Sequence, residues 1–133
     1  MPISTWVGAL YVAVGGALGC VLRYSVGRLV SYWIPNVSSM VATGAVNLVG
    51  AFLLGLVVSN YPAVQRGHPM VLLLGVGFCG GLTTFSTFAM ELADLLHAKR
   101  FGWALCYGGG SVLLGIASFL LGVAMRMQLA PQE

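Results

Sequence analysis

The chain has 133 residues, of which 59% are hydrophobic and 7% charged. A soluble domain carries about 25% charged residues, so six Lys and Arg with three Asp and Glu cannot cover a compact globule with a hydrated surface. The chain is read as an all-α integral membrane protein: spans of roughly 20 apolar residues each nearly exhaust it at four crossings. That leaves no room for a soluble catalytic or nucleotide-binding domain, and a net charge of +3 is too small and scattered to point to nucleic acid.

In chain order, Met1 to Leu22 is uncharged and Arg23 follows. The N-terminus lacks a basic n-region and its apolar stretch outruns a signal peptide, so a retained helix is expected at about 4–31. Ser31-Tyr32-Trp33-Ile34-Pro35-Asn36 reads as an interfacial turn, with Tyr32 and Trp33 as headgroup anchors. A charge-free second helix is expected at about 37–60. Tyr61-Pro62 ends it, and Gln65-Arg66-Gly67-His68-Pro69 forms the loop. The third helix is expected at about 69–98 and the fourth at about 101–127, with Arg126 and a short polar tail closing a single four-helix domain over residues 1–133.

Nineteen glycines exceed what a generic anchor needs. Gly15 to Gly19, Ala51 with Gly55, Gly77 with Gly81, and Ser111 with Gly115 form small-xxx-small faces through which helix backbones approach closely. Cys20, Cys79 and Cys106 lie in apolar stretches and read as buried apolar fillers rather than a disulfide framework.

Excess Lys and Arg normally fix orientation. Here Arg66 and Arg126 fall on one side, against Arg28, Lys99 and Arg100, with Arg23 in addition, on the other. A bias this weak is compatible with a single topology or with insertion both ways, and dual insertion would make an antiparallel homodimer a natural assembly.

The third helix concentrates the unusual chemistry. Gly75, Gly77, Gly80 and Gly81 are poor helix material, and hydroxyls follow at Thr83, Thr84, Ser86 and Thr87. Hydroxyls can satisfy backbone groups released by a helix break within hydrocarbon, so a break is expected near Gly80–Thr84. Freed carbonyls at such breaks can hold a cation. Phe85 and Phe88 share one face of the resumed helix. They are either core packing or ring edges turned toward an anion, since the edge of an aromatic quadrupole is positive.

Other polar residues leave similar alternatives. Asn47, one turn after Thr43, either glues helices together or presents an amide N–H to an anion. Tyr107, Ser111, Gly115, Ser118 and Gly122 follow one stripe of the fourth helix, as a contact face or a hydroxyl track. Arg23 either snorkels to the interface or lends positive potential to an anion vestibule. Glu91, Asp94, His97, Lys99 and Arg100 together read as a solvated helix end. No catalytic constellation and no metal-ligand spacing occurs, so the chain is not expected to be an enzyme.

Gly77-Phe78-Cys79-Gly80-Gly81-Leu82-Thr83-Thr84-Phe85-Ser86-Thr87-Phe88, with Glu91 after it, closely resembles the third-helix signature of the Fluc (CrcB) family of fluoride channels. Gly16-Ala17-Leu18-Gly19-Cys20-Val21-Leu22-Arg23-Tyr24 and Thr43-Gly44-Ala45-Val46-Asn47-Leu48-Val49-Gly50 resemble that family's first- and second-helix motifs. The resemblance implies an antiparallel, dual-topology homodimer in the bacterial inner membrane, with two pores exporting fluoride passively from the cytoplasm to limit its toxicity. It implies a structural Na⁺ on the backbone carbonyls of Gly80 and Thr83. It places fluoride along Arg23, Thr43, Asn47, Phe85, Phe88, Tyr107 and Ser111. Two departures stand out: Ala42 precedes Thr43 where a glycine is usual, and the next hydroxyl of the fourth-helix track falls on Gly115. There a water or Ser118 substitutes, or the track is shorter.

Two rivals have different sequence demands. A small dual-topology, proton-coupled multidrug exporter needs an intramembrane carboxylate, and no Asp or Glu precedes Glu91. A non-transporting packing subunit would explain the glycines and leave the Thr-Thr-Phe-Ser-Thr-Phe string without a purpose.

Overall fold

A computed structural model of the chain describes residues 4–34, 39–61, 65 and 67–129. Pro35, Asn36, Pro62, Arg66 and the tail beyond Leu129, all used above to place turns and charges, lie outside the described residues. Among the described residues, four spans are long and apolar enough to cross a membrane. They are α1 (Thr5–Trp33), α2 (Ser39–Ser59), a third span from Val71 to His97, and α5 (Phe101–Leu129). No strand occurs among the described residues.

Local chemistry sets the helix ends. Ser4 caps α1 by accepting the Val7 N–H at 3.4 Å, which supplies one orphan donor of the first turn with a partner. Tyr32 and Trp33 end α1 as an edge-to-face pair with centroids 5.5 Å apart. Both are exposed, as headgroup-level anchors require.

The third span comprises three helical pieces. A π-helix covers Val71–Cys79, a single turn α3 covers Gly80–Leu82, and α4 covers Phe85–His97. The break itself is Thr83 (φ −82°, ψ 157°) and Thr84 (φ −148°, ψ 117°). The unwound residues are thus the β-branched threonines, which favour extended backbone, while Gly80 and Gly81 remain helical. The π winding, rare in proteins and frequent near functional sites, is not foreseen by a sequence that reads as ordinary helix up to the break.

Glycines set the packing. A methyl group at Gly15 would overlap the Leu73 carbonyl, and one at Gly19 the Phe78 carbonyl. From the other side, one at Gly77 would meet the Val12 carbonyl and one at Gly81 the Gly16 carbonyl. The same reciprocity joins α2 to α5, where Gly55 sits on the Phe119 carbonyl and Gly122 on the Phe52 carbonyl. Ser118 reinforces this second seam by donating to the Leu48 carbonyl at 2.8 Å. Backbone-to-backbone contact leaves little room for a core of large side chains: Leu82 is the only large one fully buried among the described residues. Leu10, Leu18, Leu105, Leu113 and Leu121 face outward, as suits a surface solvated by lipid.

Three expectations need correcting. Within this chain Ser111 and Gly115 do not form a contact face, since nothing lies within 4 Å of a side chain built at Gly115; α5 uses Ser118 and Gly122 against α2 instead. Ser118 cannot supply the track's missing hydroxyl while its proton is committed to Leu48. Of the cysteines, only Cys79 is buried, and Cys20 and Cys106 are exposed, tolerable for apolar side chains where the neighbouring medium is lipid.

Candidate functional site

The break positions the site. Thr84, the N-cap of α4, has no helical acceptor for its N–H, and Asn47 from α2 supplies one while also reaching the carbonyl of the same residue. Thr84 donates its N–H to Asn47 Oδ1 at 2.7 Å, and Asn47 Nδ2 donates to the Thr84 carbonyl at 3.1 Å. The Thr84 hydroxyl then caps α4 by accepting the Thr87 N–H at 3.2 Å. Asn47 is therefore glue between helices. Its amide carries a second N–H, and the residue also lines the groove described next.

That groove, about 680 Å³ in volume, runs between α2, the break and α5. Gly44, Asn47, Thr83, Thr84, Phe85, Phe88, Tyr107, Gly110 and Ser111 line it. Phe85 is 79% exposed into it, although it sits mid-span. Phe88 lies 5.8 Å from Phe85 by ring centroids and 5.3 Å from Tyr107, so three rings form a file along one wall. Core packing therefore accounts for Phe88 in part and leaves Phe85 without an enclosing partner in this chain.

A second cavity of about 320 Å³ opens between α1, α2 and the start of α4. Arg23, Arg28, Tyr24, Ser31, Ser39, Thr43 and Thr87 line it, and Thr84 borders both spaces. Arg23 does not reach away to the interface. Its Nε donates to the Gly81 carbonyl at 3.0 Å, which holds the guanidinium beside the break.

Glu91 requires the largest correction. Rather than belonging to a solvated helix end, it is 3% exposed. Oε1 accepts from the Ser39 hydroxyl at 2.7 Å and the Thr43 hydroxyl at 3.0 Å, and Oε2 accepts from the Tyr107 hydroxyl at 2.7 Å. Hydrogen bonds of this kind compensate for removing a carboxylate from water. Asp94, His97, Lys99 and Arg100 are exposed as expected. The signal that separates Glu91 from them is spacing: Thr84, Thr87 or Phe88, and Glu91 recur on one helical face, the face that carries the site. The absence of a buried carboxylate, used above against the exporter, does not hold.

The arrangement thus brings all seven expected path residues to two adjacent spaces that share Thr84. Asn47, Phe85, Phe88, Tyr107 and Ser111 face the larger one, and Arg23 and Thr43 the smaller; Thr43 and Tyr107 are bridged by Glu91. The chemistry available is donation of N–H and O–H groups and aromatic edges.

Comparisons with known proteins agree with this architecture. The family model described as "CrcB-like protein, Camphor Resistance (CrcB)" matches residues 10–123. A protein of Novosphingobium aromaticivorans named "Fluoride-specific ion channel FluC" is 38% identical over 121 residues, covering 90% of this chain and 96% of the relative. One of the same name from Ignicoccus hospitalis is 41% identical over 121 residues, covering 90% and 95%. Another from Erwinia tasmaniensis is 40% identical over 119 residues, covering 84% and 92%. With the match running through all four spans and across the broken helix, the chain belongs to the CrcB-like family.

Proposed function

We propose that this chain is a fluoride-selective channel that lets the ion leave the cytoplasm passively through the inner membrane. The observation that carries the reading is the exposed file of Phe85, Phe88 and Tyr107 beside Asn47, in a family whose relatives above are named for fluoride. A small anion sheds water only where donors replace it, and several weak sites in series allow it to leave again. Fluoride gathers near Arg23 and Arg28, passes the Thr43 and Thr84 hydroxyls, and moves along the ring edges toward Ser111. Asn47, whose amide carries a second N–H, lines that route.

Glu91 adds a condition to this path. A carboxylate accepting from Ser39, Thr43 and Tyr107 directs their protons toward itself, so fluoride competes with Glu91 for the Thr43 and Tyr107 donors. These contacts favour the channel over the proton-coupled exporter, because three hydroxyl partners satisfy the carboxylate where it stands.

The assembly is an antiparallel homodimer with a second copy of this chain. Exposed Phe85 and the bare glycines Gly44, Gly80, Gly109 and Gly110, none with an atom within 4 Å of a built side chain, supply a surface for it, and the near balance of Lys and Arg supports insertion both ways. Gly80 and Thr83 fit a Na⁺ site. At the break, the Cys79 carbonyl accepts from Thr83, the Gly81 carbonyl from Arg23 and the Thr84 carbonyl from Asn47. None of these bonds uses the Gly80 or Thr83 oxygen, and oxygens at a half-helix C-terminus suit a hard cation. When bound, Na⁺ would supply positive charge opposite these carbonyl oxygens.

The direct test is purified protein in liposomes, loaded with fluoride or chloride and released by a K⁺ ionophore without a proton gradient. Fluoride efflux with chloride retained is the expected result. Efflux of neither anion from folded protein, or drug transport that follows a proton gradient, overturns the proposal.

A further inference from the structure

A helix that ends inside a membrane releases carbonyls in several directions, because successive peptide groups are rotated by about 100° around the axis. At the end of α3 those directions meet different surroundings. Gly81 lies against α1 so closely that a side chain there would overlap the Gly16 carbonyl and press on the Cys20 N–H. The Arg23 guanidinium, one turn further along α1, donates Nε–H to the Gly81 carbonyl at 3.0 Å. Its Nη2 lies 3.7 Å from Cys20 Sγ, which fixes the plane of the group. Gly80, by contrast, is exposed, with nothing within 4 Å of a built side chain.

We propose that Arg23 is a positioning residue for the cation site: by holding the Gly81 carbonyl toward α1, it selects Gly80 and Thr83 as the oxygens left for Na⁺. This rests on the cation reading above and goes beyond an electrostatic role at the cavity mouth. The physical reason lies in the shape of the guanidinium. It is planar and offers its Nε–H in a fixed direction, whereas an ammonium is a point charge on a flexible stem. An unclaimed Gly81 carbonyl would be an orphan acceptor in hydrocarbon, costly to leave unpaired, and would turn toward any nearby cation. Because Gly81 is bonded to its neighbours through planar peptides, holding its carbonyl also limits the rotation of the groups on either side.

Carbonyl ¹³C resonances of the wild-type protein in bilayers, followed as Na⁺ replaces a large organic cation at constant ionic strength, test the idea without a variant. The expected result is that Gly80 and Thr83 shift while Gly81 does not. Gly81 shifting with them overturns the inference and leaves the cation reading intact; no shift in any of the three overturns both. Arg23→Lys gives a second measurement, read as the Na⁺ concentration that half-protects the protein against thermal unfolding. Retention of charge with loss of the directed Nε–H should raise that concentration at least about tenfold, equivalent to ~1.4 kcal/mol. A wild-type midpoint overturns the inference. So does a loss of stability that is equal at every Na⁺ concentration, because a merely structural contact would behave that way.

Discussion

The two halves of the third span differ in what their small and polar residues touch. In the first half, from Val71 to Leu82, glycines meet backbone: Gly77 and Gly81 sit against α1, whose Gly15 and Gly19 return the contact. In the second half, Phe85 to His97, the inward residues meet polar groups or open space. Thr84 caps the helix by accepting the Thr87 N–H, Phe85 faces the groove, and Glu91 collects three hydroxyls. One half attaches the span to the protein and the other borders the path. Substitutions should therefore separate, with losses of folding on one side of Thr83 and losses of transport on the other.

The largest effect belongs to the seam between the first half and α1. Gly19→Val places two methyl groups where the Phe78 carbonyl and Leu82 N–H already lie, and neither backbone atom can turn away as a side chain could. Overpacking of a tight interface typically costs about 1–3 kcal/mol and occasionally more. Folded protein recovered from membranes and its unfolding midpoint should both fall sharply. A variant as stable as wild type would show that α1 and the π-helix are not locked together.

Next come the rings. Phe85→Ile or Phe88→Ile keeps apolar volume and removes the positive ring edge. Aromatic edges contribute about 0.5–1.5 kcal/mol beyond burial, so loss of this contact at a step limiting passage corresponds to roughly tenfold slower fluoride efflux. The unfolding midpoint and the assembled size should stay near wild type. Full conduction in both variants would remove the rings from the path. Asn47→Ala tests the boundary between the halves, since Asn47 clamps the Thr84 peptide and faces the groove. Fluoride efflux should fall and stability drop by about 1–3 kcal/mol, because the Thr84 N–H loses its partner. A loss of stability with efflux per folded channel unchanged would assign Asn47 to the clamp alone.

Much of this division is legible in the sequence, for identifiable reasons. Glycines followed by threonines announce a break, because the first are poor helix formers and the second can satisfy freed peptide groups. Charges and prolines between the apolar runs separate four spans. Glu91 is misread because linear context groups it with Asp94, His97, Lys99 and Arg100, whereas its partners Ser39, Thr43 and Tyr107 come from two other helices. Only the helical spacing from Thr84 and Phe88 hints at its true face. The π winding of Val71–Cys79 leaves no mark in residue type. Gly115 and Gly81 look alike in sequence, yet one is bare and the other is wedged against α1; that difference depends on helix rotation, which small-residue spacing alone does not fix.

The smallest expected effect lies at the far end of the second half, where α4 closes. Lys99 has φ 56°, the left-handed conformation in which a Cβ is crowded by its own backbone. The bonds around it explain why it is there: Lys99 N–H donates to the Leu96 carbonyl and Arg100 N–H to the Leu95 carbonyl, the pair that closes a helix in a Schellman motif. Glycine is the usual occupant of this position, and a non-glycine residue in the left-handed region costs about 1–2 kcal/mol. Lys99→Gly should therefore raise stability by roughly 1 kcal/mol and shift the unfolding midpoint upward by a few degrees. Fluoride efflux of the reconstituted protein should not change, since Lys99 is exposed and lies beyond both cavities. Measurement after purification keeps the lost positive charge from acting through membrane insertion. An efflux rate that moved together with the midpoint would mean that the closure of α4 is coupled to Glu91 and the ring file two turns earlier, and the separation of stability from transport would not extend to the end of the span.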